Sequence, residues 1–117
     1  MKFLIMTDIE GVTGITTFPQ AERGEIGKQM LMHDVKAVLE GMRDAGAEVI
    51  LYDMHTDGRN VDISRIDVPV AMGKPILGNR YRGVGDRLDG LFLVGLHTMQ
   101  HTGHLLAHSY LRDVTII

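Results

Sequence analysis

The sequence predicts an α/β fold: a mostly parallel or mixed sheet flanked by helices, with a metal site at the carboxyl ends of its strands. Three observations carry this. Short apolar runs of buried-strand type recur at residues 3–6 (Phe-Leu-Ile-Met), 49–52 (Val-Ile-Leu-Tyr) and 91–94 (Leu-Phe-Leu-Val). Between the first two lies a stretch with helical periodicity, so strand and helix alternate, the pattern of parallel sheets. Each run is followed within a few residues by side chains able to bind a metal: Asp8 and Glu10, His55, and His97. In open α/β sheets the carboxyl ends of strands line the ligand crevice, so three remote stretches converge there.

In order along the chain, residues 2–6 read as the first strand. Residues 7–20 form a Gly- and Thr-rich loop, in which Gly11 and Gly14 permit unusual backbone angles. One long helix is expected over about residues 22–45. Its apolar positions Leu31, Val35, Val38, Leu39 and Met42 make a single stripe facing the sheet. Gly46 is the expected left-handed cap. Residues 48–52 are the second strand, followed by a Gly-containing loop over 54–60. A short third strand is expected at 68–72, then a loop through Gly78, Gly83 and Gly85. Residues 90–94 form the fourth strand, the histidine-rich segment follows, and a terminal strand closes the sequence around 114–117.

A chain of 117 residues reads as one domain, burying about two-thirds of its unfolded surface. A mean hydropathy of +0.04 and 44% hydrophobic residues fit an ordinary globular chain. The net charge of -3 speaks against nucleic acid, whose phosphates require a cationic face. No apolar run approaches the ~18 residues of a membrane span. The first residues are too short for a signal peptide and lack a small-residue cleavage site, so a cytoplasmic location is expected. With no cysteine there is neither a disulfide nor a thiolate ligand, and a metal must use histidine and carboxylate. The apolar β-branched ending Val114-Thr115-Ile116-Ile117, with no polar tail, suggests a sequence cut short.

Asp8-Ile9-Glu10 places two carboxylates two residues apart, on one side of an extended chain. Two such groups repel, and a divalent cation relieves the repulsion; solvated acids at a strand end are the simpler alternative. Asp53-Met54-His55 repeats the spacing, with His55 as a ligand candidate and Asp53 orienting a ring or a loop. His97, His101, His104 and His108 have the spacing of a helix face, yet Gly103 disfavours a long helix there. His97 is then the strand-end ligand and His108 a residue returned to the site by the loop. His101 and His104 are peripheral, and His33 belongs to the helix surface.

Together these stretches resemble the zinc-dependent D-aminopeptidase family of the dipeptide-transport operon. The residues concerned are Thr7-Asp8-Ile9-Glu10-Gly11-Val12-Thr13-Gly14, then Asp53-Met54-His55-Thr56-Asp57-Gly58-Arg59-Asn60, then Gly95-Leu96-His97 with Ala107-His108-Ser109. Leu31-Met32 and Asp44-Ala45-Gly46-Ala47-Glu48-Val49 also match, and the similarity runs in order from residue 1 to 117. The resemblance implies that Asp8 bridges two zinc ions, with Glu10, His55 and His97 completing much of the coordination. It implies His108 as catalytic nucleophile or base, a small peptide substrate with an N-terminal D-amino acid, and a ring-like homo-oligomer. It also implies a further glutamate ligand beyond this chain, which then corresponds to the amino-terminal half of the family's enzyme.

Two other readings compete. The loop after the first strand also resembles the nucleophile loop of haloacid-dehalogenase-like phosphatases, where an Asp attacks phosphate with magnesium. That reading needs a Ser or Thr after a later strand, a Lys and a further acidic pair, and leaves the histidines without work. The other is a partial or inactive fragment holding one metal or none.

Overall fold

A computed structural model describes residues 1–73, 76–77, 80–81 and 87–108. Strand β1 (Lys2–Thr7) is followed by helices α1 (Phe18–Glu22) and α2 (Glu25–Asp44), then β2 (Glu48–Asp53) and a 3-10 turn (Ile63–Arg65). β3 (Val70–Ala71), β4 (Ile76–Leu77), β5 (Arg80–Tyr81) and β6 (Gly90–Val94) complete the described elements. The main sheet has the order β3-β2-β1-β6, and every pairing in it is parallel. Parallel neighbours need a crossover, and α2 supplies it between β1 and β2.

The expected α/β architecture is present, with four differences of detail. The expected long helix is present as α2, and the end of the expected loop forms a separate short helix: α1 has Pro19 in its first turn, and Gln20 turns back to accept from the backbone N–H groups of Thr16 and Thr17. Gly24 then adopts an extended conformation (φ -97°, ψ 135°) and starts α2 afresh. Gly27 accounts for the closeness of the two helices, because a Cβ there would lie 2.5 Å from the Gln20 carbonyl oxygen. β3 is two residues long instead of five. Its lead-in Pro69 has no N–H to give and contributes only its carbonyl, which accepts from Leu51. β1 and β2 each run one residue further than expected. β4 and β5 form an antiparallel pair, with Ile76 opposite Tyr81 and Leu77 opposite Arg80, where a loop was expected. The expected terminal strand and Gly78, Gly83 and Gly85 lie outside the described residues.

Alternation along the strands splits the core in two. Ile5, Val49 and Leu51 point to the α2 side and pack with Leu31, Val35, Leu39 and Met42, the stripe read from the sequence. Leu4, Met6, Ile50 and Tyr52 form a second buried cluster on the opposite face, with Met54 and Ala71 against it. α2 ends as expected, at Gly46 with φ +65°, where Ala47 N–H donates to the Met42 carbonyl.

Candidate metal centre

Register places the site. Thr7, the last residue of β1, is level with Asp53 of β2 and Val94 of β6. All three strands therefore end at one height, with β1 in the middle. Backbone bonds continue past the ends: Asp8 N–H donates to Val94 O, Met54 N–H to Thr7 O, and Gly11 N–H to Gly95 O. The loops carrying Asp8 and Glu10, His55, and His97 leave the sheet side by side.

The loop after β1 is anchored by its own apolar residues. Ile9, Val12 and Ile15 are all buried in the α2-side core, so the backbone between them is held while Asp8 and Glu10 turn towards the site. Gly11 was expected to supply unusual angles; it supplies room instead, since a Cβ there would lie 2.1 Å from Leu96 O. Gly95 makes the reciprocal contact: its φ is +70°, and a Cβ would lie 2.1 Å from Asp8 O. Leu106 performs the anchoring for the histidine segment, buried in the same core, and His108 N–H donates to Thr98 O at 3.3 Å.

The side chains expected at the site are brought together. Asp8, Glu10 and His55 are buried, and His97 and His108 are partly so. Asp8 turns one oxygen each way: Oδ1 lies 3.0 Å from His55 Nδ1, and Oδ2 lies 3.5 Å from His97 Nε2. Glu10 does the same, with Oε2 3.1 Å from His55 Nδ1 and Oε1 3.8 Å from His108 Nε2. The two carboxylates thus stand between His55 on one side and the His97–His108 pair on the other. Those two rings stack with centroids 3.7 Å apart.

This donor set fits a divalent ion. Asp8, Glu10 and His97 offer ligand atoms that all lie within 4.8 Å of one another. Ligand bonds of about 2.0–2.2 Å to zinc put neighbouring donors roughly 3–3.5 Å apart, the spacing already found around Asp8. Hydrogen bonding has also aimed the later histidines. A carbonyl only accepts, so His97 Nδ1 must donate to Thr98 O (2.7 Å) and His108 Nδ1 to Leu106 O (2.8 Å). Both rings then turn Nε2 towards carboxylate oxygens, where a cation could be held between them.

Without a cation, protons take up the strain. Burial opposes charge on His55, but hydrogen bonds to Asp8 and Glu10 outweigh it and push the imidazole up to about 9 from 6.5. Burial would raise Glu10 also; its bonds with His55 and Asp8 prevail and hold it down at about 2. Asp8 is raised, burial acting first and Glu10 adding to it against the bond with His55. His55 Nε2 is buried with no hydrogen-bond partner among the described residues. Since the folded-state value of His55 is raised, its stabilisation is complete below pH 6.5 and is lost as the pH climbs through about 9. The metal-free protein, held in chelator, should therefore unfold at progressively lower urea concentration from pH 6.5 to 9.5. His55→Gln should flatten that slope, and an unchanged slope in the variant would remove His55 as its cause.

The remaining histidines stay outside. His101 and His104 are exposed, His101 with φ +70°. His33 is an exposed α2 residue near Asp34, at 3.4 Å. Asp53, expected to orient a ring or a loop, holds the loop: its carboxylate accepts from the backbone N–H of Asn60 and Val61 and from the Asn60 amide. Sequence reasoning assigned no role to Phe18, whose ring lies edge-on to His108 at 5.4 Å. It also gave none to Asn60, although the Asp-x-His-x-x-x-Arg-Asn pattern contained it.

A parallel sheet with this acid and histidine cluster at its strand ends forms a candidate metal centre. The chain belongs to the D-aminopeptidase family (Peptidase_M55), whose family model matches residues 1–116. Among solved structures it is similar to the Zn-dependent D-aminopeptidase DppA from Bacillus subtilis, described as a self-compartmentalizing protease, with a TM-score of 0.78. That likeness comes at 20% sequence identity and covers 95% of this chain and 43% of that one. The chain therefore spans less than half the length of that structure. No curated protein matches the sequence.

Proposed function

We propose that this chain carries the zinc centre of an aminopeptidase acting on short peptides or amides with N-terminal D-amino acids. The observation that carries the reading is the division of Asp8, with Oδ1 facing His55 and Oδ2 facing His97. Asp8, Glu10, His55 and His97 would hold the zinc there, with Asp8 facing both histidines. Family membership and the zinc dependence of the similar structure support the metal and the reaction. The phosphatase reading fails here, because Asp8 is committed to two imidazoles and the family is a peptidase family.

Asp8, Glu10, His55 and His97 would hold a zinc that would supply Lewis acidity at the scissile carbonyl. Asp8 and Glu10 fix the position of that charge. His97, with its Nδ1 proton committed to Thr98 O, presents Nε2 as a donor atom. His108 is held by Leu106 O, by the His97 ring and by Phe18. It is the group we assign to attack or proton transfer at the scissile amide, through Nε2.

Residues 1–117 read as one α/β domain, the counterpart of the amino-terminal part of a longer enzyme. No helix among the described residues is long and apolar enough to cross a membrane; a cytoplasmic location goes with the proposal. A homo-oligomer is included, supported by the self-compartmentalizing relative and by the exposure of Leu91, Phe92 and Leu93 on β6, an edge strand among the described residues. The coverage of 43% favours one competing reading, a chain that binds metal without turnover.

Zinc stoichiometry with hydrolysis of D-alanyl and L-alanyl peptides separates these readings. Two zinc ions per chain with D-selective cleavage is the expected result; about one ion and no cleavage selects the fragment reading. His108→Ala should lose turnover and retain its zinc. Full activity in that variant removes His108 from the reaction.

A further inference from the structure

We infer that Asn60 is a positioning residue for His55, and that the Asp53–Asn60–His55 chain of hydrogen bonds sets how tightly the site holds its metal. This rests on the zinc reading above. The three residues are fully or nearly fully buried, with exposures of 0%, 8% and 3%. The Asn60 amide nitrogen donates to Asp53 Oδ1 at 3.0 Å and to the His55 carbonyl at 2.6 Å. Both partners are acceptors only, so the side chain between them must provide two donors from one atom. A primary amide does that; Asp in its place has no such donor, and Ser has one.

The geometry separates anchoring from aiming. Asp53 is the last residue of β2 and is rigidly placed by its level pairing with Thr7. Its Oδ2 accepts from the backbone N–H of Asn60 and of Val61 at 2.8 Å, and these bonds hold the loop to the strand whatever side chain residue 60 carries. The amide arm carries that fixed point across to the His55 carbonyl. The His55 carbonyl also accepts from Gly58 N–H at 2.8 Å, closing the turn on which the histidine sits. The turn is otherwise a poor support, since Thr56 has φ +46° and Gly58 +70°. Loss of the amide therefore leaves the loop attached while freeing the peptide group from which the ring is aimed. Partners one step behind a metal ligand are typically worth 10–100-fold in affinity.

The test is zinc affinity by chelator competition in the full chain, at a temperature where circular dichroism shows each variant folded. Asn60→Ala should bind zinc 10–100-fold more weakly than the parent, and Asn60→Ser, keeping one donor, should fall between. The visible spectrum of the cobalt-loaded protein should change with Asn60→Ala, reporting altered ligand geometry. A merely structural role would lower the melting temperature and leave both affinity and spectrum unmoved, and that outcome overturns the proposal. If Asn60→Ala does not fold, Asn60→Ser decides alone: affinity equal to the parent's overturns it. A parent chain that takes up no zinc sinks the metal centre and this inference together, whereas a zinc-binding parent with an equally tight variant sinks only the inference.

Discussion

Replacing Asp8 by Asn should leave the fold standing and cost the protein its metal. The amide oxygen of Asn keeps the acceptor that Asp8 Oδ1 offers to Ile9 N–H and His55 Nδ1, both at 3.0 Å. The charge is what disappears. Burial already disfavours that charge in the metal-free state, as the raised Asp8 carboxyl shows, so removing it relieves a cost that offsets the weakened pairing with His55. With metal present the balance reverses. The group facing both His55 and His97 no longer brings a negative charge to either position. The loss in zinc affinity should exceed the roughly 100-fold that marks the upper range for outer partners. Chelator competition and thermal melts of the metal-free proteins check the two halves. A variant that binds zinc like the parent, or one that melts far lower without metal, contradicts the role given to Asp8.

The second large effect belongs to a residue with no side chain. Gly95→Ala should destabilise the protein by about 3 kcal/mol or more and dismantle the site, for two additive reasons. The backbone at Gly95 has φ +70°, which alone costs an L residue about 1–2 kcal/mol. Its Cβ would also lie 2.1 Å from the Asp8 carbonyl oxygen and 2.5 Å from Val12. Backbone cannot rotate away as a side-chain tip can, so β1's outgoing loop must shift, and Asp8 with it. Gly46→Ala provides the comparison: φ +65° but no atom within 4 Å, hence strain without collision. Gly41→Ala, in open space within α2, should stabilise by about 0.5–1 kcal/mol. Denaturant midpoints of the three variants check the order. If Gly95→Ala costs no more than Gly46→Ala, the close approach of the two loops contributes nothing.

Much of this architecture was legible because buried strands and amphipathic helices write themselves in hydrophobic periodicity. The run at residues 3–6 became β1, that at 49–52 became β2 and that at 91–94 became β6. The α2 stripe of Leu31, Val35, Leu39 and Met42 is buried as its spacing implied. The strand-end rule then placed Asp8, Glu10, His55 and His97 together without any contact being visible in the chain. What periodicity does not encode was missed. The five-residue helix α1 is too short to show a period and read as loop. The β4–β5 pair is too short for alternation, although the dipeptide Gly78-Asn79 between its strands is a recognisable hairpin signal. The amide of Asn60 works through hydrogen bonds to groups fixed only once β2 is in the sheet. The role of Gly95 was not legible, because the collision it avoids involves residues 8 and 12, more than eighty positions away.

That same distance in sequence shapes the energetics of the whole molecule. His55 reaches Asp8 across 47 residues, and His97 comes from the far end of the described chain, so an unfolded polypeptide has no chelating cage to offer. If the proposed zinc centre is correct, zinc would discriminate between the ordered and disordered forms almost completely, and its binding free energy would become a contribution to conformational stability. A free concentration one hundred times the dissociation constant is equivalent to about 2.7 kcal/mol of added stability. For a chain of this length that would be a sizeable share of what holds it together.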